Sequence, residues 1–421
     1  MESTTTYHKV ASHEAKKGEF KKVVLLYSGG LDTSILLKWI QDHYEADLIA
    51  LTIDIGQKED FSGIKEKAMK LGAKSAYVID AKEDFAKNYL TKAIKANADY
   101  QGGYHLFCPL GRAIISKVGV DIAHKENAEV IAHGSTGKGN DQVRFEGYIT
   151  TLDPKLRTIA PVREWSMGRD EQLKYAHEHG IPVKQTSEKI YSYDENLWGD
   201  SAEGGEIENI AEIPRFDKCL ITCTEPEKAP DQSEMLELDF VEGLPVALNG
   251  EKMGLVKLIQ ALNEVGAKHG VGIVPLVEDR IVGLKVRGVY EEPGAEILIQ
   301  AHKNLEKLVC TREENEFKTM VDQKWAYLCY GANWYHPLMN HLNAYIDDVN
   351  KKVTGNVKVK LYKGKAVVVA VKSKYSLFNE NMATFMSGSL FNQNASAGFI
   401  ELWNLPQKSA YNLGKDVYKN D

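Results

Sequence analysis

Lys22-Val23-Val24-Leu25-Leu26-Tyr27-Ser28-Gly29-Gly30-Leu31-Asp32-Thr33-Ser34 is an apolar run that halts at a serine and two glycines. A run without polar interruption fits a strand buried on both faces, because a half-solvated strand would alternate. Beyond the glycines, Ile35, Leu36, Trp39 and Ile40 fall at helical spacing from Thr33 onward, and Asp32 stands where a cap or first-turn acid belongs. Strand, glycine loop and helix in that order are one beat of a parallel α/β sheet.

The beat repeats. DLIALTID from Asp47 predicts a strand, IKEKAMKLG a helix, SAYVID a strand, DFAKNYLTKAIKA a helix, and AEVIAHG a strand after a helix through Ile114 to His124. The expected fold is α/β, with a doubly wound parallel sheet as a nucleotide-binding domain over residues 21–182. Ligands in such sheets bind beyond the carboxyl ends of the strands, which singles out the loops after Tyr27, Ile53 and His133. Around His179-Gly180-Ile181-Pro182 the rhythm changes, and the polar, Gly-rich stretch from Thr186 to about Gly205 is read as the domain boundary. Beyond it the patterns predict strands near Leu236 to Val241, a helix from Leu255 to about His269 and a helical region through Trp325 to Lys352. VKVKLYKGKAVVVAVKS reads as a hairpin turning at Lys363-Gly364. Residues 183–421 are thus expected to form an α+β domain with a C-terminal tail, and residues 1–20 a frayed arm.

The 421 residues include 52 Lys plus Arg against 59 Asp plus Glu, a net charge of −7. No basic field draws in nucleic acid or an anionic membrane, so anions must be bound locally. No apolar run is long enough to span a bilayer, and the first twenty residues lack a secretory apolar segment. Five scattered cysteines argue for a reducing cytoplasm rather than a disulfide framework, and Cys219 and Cys223 lack the second pair that a zinc site needs.

Chemistry gathers in two loops. Around Ser28-Gly29-Gly30 the backbone can approach a phosphate closely, the following helix offers unpaired N–H groups, and Ser28, Thr33 and Ser34 add hydroxyls. The Lys-Ser/Thr end of a Walker A loop is missing, so γ-phosphate transfer of that kind is not encoded. The second loop, His133-Gly134-Ser135-Thr136-Gly137-Lys138-Gly139-Asn140-Asp141-Gln142-Val143-Arg144, offers hydrogen bonds from Thr136 and Asn140, an ammonium partner in Asp141 and a carboxylate partner in Arg144. Those groups suit an amino acid.

Together, YSGGLDTS and GSTGKGNDQVRFE closely resemble the paired signatures of the argininosuccinate synthase family, within the N-type ATP pyrophosphatase group. IGQKEDF, KYAHEHGIPV, YSYDENLWGDSAEGG, EDRIVGLKVRGVYEEPGAEIL and KLYKGKAVVV resemble further family segments in the right order. The resemblance implies a ligase that adenylates citrulline with ATP and magnesium, releases pyrophosphate, and lets aspartate displace AMP. It implies ATP at Leu26, Tyr27, Ser28, Gly29, Gly30, Leu31, Asp32, Thr33, Ser34, Ile53 and Gly134, and aspartate at Thr136, Asn140 and Asp141. Citrulline would meet Tyr104, Asn140, Arg144, Ser192, Ser201, Glu278 and Tyr290; Ser28, Asp32 and Asp141 are the catalytic candidates, and no protein ligand to a metal is expected. A homotetramer built through a synthetase/oligomerisation domain is also implied.

The chain departs from the family pattern after Tyr104, where His105-Leu106-Phe107-Cys108-Pro109 replaces a segment ending Gly-Thr-Ser. Pro109 takes the position of a serine that contacts citrulline in the family and has no hydroxyl and no N–H to offer, so either a neighbour such as Cys108 or Arg112 compensates or substrate affinity differs. Ile53-Asp54 replaces a usual Ala-Asn. Blander readings stand beside these roles: Tyr104 and Tyr290 as packing residues, Arg144 with Glu278 as a structural ion pair, Ser192 and Ser201 as loop caps, His133 as packed, and the Glu291-Glu292-Pro293-Gly294 stretch as a solvated turn. The competing functions are another adenylating ligase on the same scaffold, or a non-catalytic ATP-binding oligomer.

Overall fold

In the computed structural model, which describes residues 16–163, 169–182, 190–383 and 392–415, the apolar runs of the first half pair in parallel. Strands β1 (Lys22–Leu26), β2 (Asp47–Asp54), β3 (Ser75–Asp80), β4 (Val130–Ala132) and β5 (Arg157–Ile159) form one sheet in the order β3-β2-β1-β4-β5. Central β1 explains its own composition: Val23 and Leu25 enter one core with Leu36 and Ile40, while Val24 and Leu26 enter another with Leu110 and Ile114. Neither side is left for a polar face. Strand order reverses between β1 and β4, so the crevice at their carboxyl ends is the topological switch point. Both glycine loops open there.

The helices follow the predicted positions with shifted ends. The first spans Leu31–Tyr44, with Asp32 as its first-turn acid. The next two segments are Phe61–Lys70 and a stretch from Lys82 to Lys95 that contains a π-helical turn at Ala86–Leu90. The helix before β4 runs from Phe107 to Glu126, longer than the Ile114–His124 core that signals it. Phe20 is buried edge-on to Tyr44, at the inner end of the expected arm; residues 1–15 lie outside the described residues, as do 183–189 at the expected boundary.

The remaining strands are β6 (Ser192–Asn196), β7 (Gly199–Glu203), β8 (Glu234–Val241), β9 (Leu244–Leu248), β10 (Glu251–Lys252), β11 (Ile273–Asp279), β12 (Lys285–Glu291), β13 (Gly355–Tyr362) and β14 (Lys365–Lys372). They make two antiparallel sheets, β11-β12-β7-β6 and β10-β9-β8-β13-β14. The β13–β14 turn has positive φ at both Lys363 (40°) and Gly364 (82°), as a two-residue hairpin of primed type requires. The expected helical region through Trp325 is two helices, Arg312–Tyr330 and Pro337–Asn350. Residues to Tyr375 cluster as one body; a second, from Ser376, contains the helices Ala395–Trp403 and Leu405–Gly414. No helix among the described residues is long and apolar enough to cross a membrane.

One expectation gains detail and another is corrected. The described part of the polar stretch before Gly205, where the domain boundary is expected, folds as the β6–β7 hairpin, whose tip is anchored in the body. Trp198 is fully buried and donates from Nε1 to the His105 carbonyl at 2.9 Å, while Asn196 donates to the Phe107 carbonyl at 2.8 Å. Gly56, at φ 104°, lets the tip approach: a Cβ there would lie 2.7 Å from Leu197. The Glu291-Glu292 stretch is not the expected solvated turn, since both residues are 1% exposed. Glu291 accepts the N–H groups of Ile221, Thr222 and Cys223, and Glu292 those of His105 and Phe107. Unpaired buried N–H groups are costly, so both carboxylates are structural.

Asp200 on β7 faces Glu291 on β12 in register, and both are buried. Burial, then the neighbouring Glu291, push the Asp200 carboxyl up to about 9. An unfolded aspartate ionises near pH 4, so between about pH 4 and 9 the folded chain holds the extra proton and stability falls as pH rises. Asp200→Asn removes that dependence. We expect its advantage in Tm over the parent to widen from pH 5 to pH 8.5 in thermal melts; a constant difference would contradict a neutral Asp200.

Candidate active site

A cavity of about 630 Å³ opens at the switch point and takes in both glycine loops and one face of the β11-β12-β7-β6 sheet. Among the residues expected from sequence, Leu26, Tyr27, Ser28, Gly30, Asp32, Thr33, Ile53, Tyr104, Gly134, Thr136, Asn140, Asp141, Arg144, Ser192, Ser201, Glu278 and Tyr290 line it. Gly29, Leu31 and Ser34 are not among the lining residues. They shape the loop: Ser34 is fully buried and donates to the Gly30 carbonyl at 2.6 Å, and Leu31 packs with Ile35 and Ile181.

The first loop is sprung open by Gly29, at φ 77°, whose carbonyl accepts from Lys67 Nζ at 2.9 Å. Gly30 caps the Leu31–Tyr44 helix in extended conformation without any side-chain cap bond, so the helix amino end presents its N–H groups to the cavity unscreened. Ser28 and Thr33 hydroxyls lie 3.1 Å apart beside it. This end of the cavity is built for an anion. After β2, Gln57 ties down the loop by donating to the Ile53 carbonyl and accepting from Ile55 N–H. The unusual Asp54 is balanced by an ion pair with Lys82.

The second loop leads into the Asp141–Leu152 helix. His133 is buried, hydrogen-bonded to Glu146 at 3.1 Å and to Ser135 N–H at 3.2 Å, which bears out its packed reading. Asp141 lies between two guanidiniums, Arg112 at 2.9 Å and Arg144 at 3.2 Å. Burial would raise its pKa, but Arg112 and then Arg144 outweigh that and hold it at about 2. Arg112 also pairs with Asp194 on β6 at 2.5 Å, tying the parallel-sheet half to the antiparallel sheet. Arg144 does not pair with Glu278: its Nε and Nη2 donate to the Tyr330 carbonyl at 3.2 and 3.1 Å, and its Nη1 faces Asp141.

The antiparallel sheet contributes a single face. Tyr290, Ser201 and Asp194 are opposite one another across β12, β7 and β6, and Ser192 is opposite Glu203. Residues in register share a face, so these groups point the same way as Glu278, four residues along β11 from the partner of Tyr290. Tyr104 stacks on Tyr290 with centroids 4.3 Å apart, so the packing reading of both tyrosines holds alongside their place in the cavity wall. Gly288 leaves room for the Tyr290 ring, which a Cβ there would meet at 3.2 Å.

Pro109 sits in the first turn of the Phe107–Glu126 helix, where its missing N–H costs no helical bond, and is buried away from the cavity. Cys108 lines the cavity in its place, with Sγ 3.5 Å from Asp141 and 3.7 Å from Arg144. Sequence reasoning missed Asp194, Glu203, Arg280 and Tyr330. Arg280 pairs with Glu203 at 2.8 Å and donates to the Lys138 carbonyl, clasping the second loop to the sheet. The adjacency of Arg280 to Glu278 was the available signal.

A family model described as the N-terminal HUP domain of arginosuccinate synthase matches residues 22–182, and one for the C-terminal domain of the same family matches residues 191–410. Argininosuccinate synthase of Pyrococcus furiosus is 50% identical over 397 residues, covering 94% of this chain and 96% of the relative. That of Caldanaerobacter subterraneus subsp. tengcongensis is 49% identical over 393 residues, covering 93% and 95%.

Proposed function

Because the chain belongs to the argininosuccinate synthase family, we propose that its cavity holds ATP at the β1 loop, aspartate at the β4 loop, and citrulline against the antiparallel sheet. The protein is a ligase that uses ATP to join citrulline and aspartate through a carbon–nitrogen bond. The observation carrying the division of the cavity is that its anion-binding end and its paired Arg and Asp groups share one space.

Pyrophosphate is the leaving group of the first step, so the helix amino end with Ser28 and Thr33 would stabilise its developing charge. The citrulline ureido oxygen attacks the α-phosphorus; as a weak nucleophile it depends on positioning beside that atom. Arg144 would hold a carboxylate, with Glu278, Ser192, Ser201, Tyr104 and Tyr290 around the rest of citrulline. The aspartate amine then attacks the ureido carbon and AMP leaves. Asp141, ionised across the working pH range, would pair with the aspartate ammonium beside Thr136 and Asn140. Asp32, exposed at the cavity wall, would act near the phosphates with Ser28.

Magnesium would arrive on the ATP phosphates and neutralise their charge. Cys108, Asp141 and Asp194 approach one another as metal ligands might, but Arg112 and Arg144 already neutralise those carboxylates, and we assign no metal there. We divide the chain into a nucleotide-binding domain, 21–182, and a synthetase and multimerisation domain, 183–421, the latter assembling a cytoplasmic homotetramer. Exposed Phe399, Leu402 and Trp403 on the Ala395–Trp403 helix support assembly, and five free thiols support the reducing compartment.

Incubation with ATP, magnesium, citrulline and aspartate is expected to yield AMP, pyrophosphate and argininosuccinate in equal amounts. ADP with phosphate, or turnover independent of the amino acids, would sink the assignment.

A further inference from the structure

Resting on the reading that Asn140, Arg144 and Glu278 face citrulline, we propose that Tyr330 is the positioning residue that orients all three and so sets citrulline affinity. Tyr330 ends the Arg312–Tyr330 helix, is 2% exposed and is not among the residues lining the cavity. It acts from behind the wall.

The polarity of its contacts is fixed by a neighbour. Asn140 Oδ1 accepts the Ile281 N–H at 2.8 Å, so its Nδ2 must be the atom facing Tyr330, where it donates to the hydroxyl oxygen at 2.8 Å. That oxygen's single proton is then committed to Glu278 Oε2, also 2.8 Å away. The donor chain from Ile281 through Asn140 and Tyr330 thus ends on a carboxyl oxygen that acts as acceptor, the form suited to a ureido N–H or an ammonium on citrulline. Burial, then Glu278, raise the Tyr330 phenol, so it remains a donor at working pH.

The same residue holds Arg144. Its carbonyl takes two guanidinium N–H groups, its ring lies 4.9 Å beneath the guanidinium carbon, and Tyr100 stacks on the ring at 3.7 Å with planes 7° apart. The guanidinium is left with Nη1 toward Asp141.

Tyr330→Phe deletes the hydroxyl and keeps the ring, its stacking and its carbonyl. We expect citrulline KM to rise about tenfold or more, as for loss of a hydrogen bond to a charged group, with ATP KM changed less than about twofold. Glu278→Gln should raise citrulline KM by itself, and adding Tyr330→Phe should then cost little more, because the two act through one contact. An unchanged citrulline KM in Tyr330→Phe alongside a raised one in Glu278→Gln overturns the role of Tyr330 alone. If Glu278→Gln leaves citrulline KM unchanged, the underlying substrate reading fails and this role with it. ATP and citrulline KM rising together, with additive effects, would mark a merely structural residue and also overturn the proposal. Should the Phe variant not fold, fluorotyrosine at position 330 alters only donor strength; citrulline KM is expected to shift, and constancy overturns the proposal.

Discussion

Asp141→Ala is expected to lower kcat/KM for aspartate by about 30- to 5,000-fold, the range for truncating one partner of a buried, hydrogen-bonded charge pair. Adenylation of citrulline should survive. The carboxylate is ionised because Arg112 and Arg144 flank it, and on our reading it is the only acid of the second loop placed to receive the aspartate ammonium. Removing it leaves two guanidiniums facing the incoming aspartate ammonium, which repel it as well as depriving it of its partner. Citrulline-dependent exchange of labelled pyrophosphate into ATP reads the first step alone. Exchange within tenfold of the parent, together with collapse of aspartate turnover, is the expected pair of results. Aspartate kinetics equal to the parent's would remove Asp141 from its role.

Gly29→Ala should strike the other half-reaction, lowering kcat/KM for ATP by about 100-fold, comparable to losing one preorganised anion donor. Gly29 is not among the cavity-lining residues, yet Ser28 and Gly30 on either side of it are. At φ 77° an alanine costs roughly 1–2 kcal/mol of backbone strain, and its Cβ would lie 2.7 Å from Ile64 Cγ1. Ile64 is anchored in the core beside Leu36 and Leu37, so the loop must yield instead. Its donors then lose their alignment on the leaving pyrophosphate. Calorimetric binding of aspartate should be unaffected, and ATP kinetics within threefold of the parent would rule out this account of the loop.

The nucleotide half of the site was legible because its physics is local. An unbroken apolar strand, a glycine turn and a helix amino end are consecutive in sequence, and β1 and β4 both carry such a signal. The citrulline half was legible only through resemblance. Ser192–Asn196 and Gly199–Glu203 read only as a polar stretch because much of their inward face lines a polar cavity, and hydrophobic periodicity is blind to strands whose inward face is functional. Glu291 and Glu292 misled for a related reason: a Glu-Glu-Pro-Gly string signals a turn, while the carboxylates are spent on backbone N–H groups from distant segments. Tyr330 carried no signal, since an aromatic at the end of an amphipathic helix is ordinarily core.

The contacts of Tyr330 reach back to Asn140 and Arg144, across 190 and 186 positions of chain. A ribosome adding five to twenty residues each second needs roughly ten to forty seconds to cover that interval. During that time the phosphate-binding loop and the aspartate loop are already outside or emerging, while the citrulline end has no floor. A growing or prematurely terminated chain lacks the Tyr330 contacts and with them the support of Asn140, Arg144 and Glu278. Citrulline is the substrate that is activated, so such a chain has nothing positioned beside the α-phosphate to adenylate.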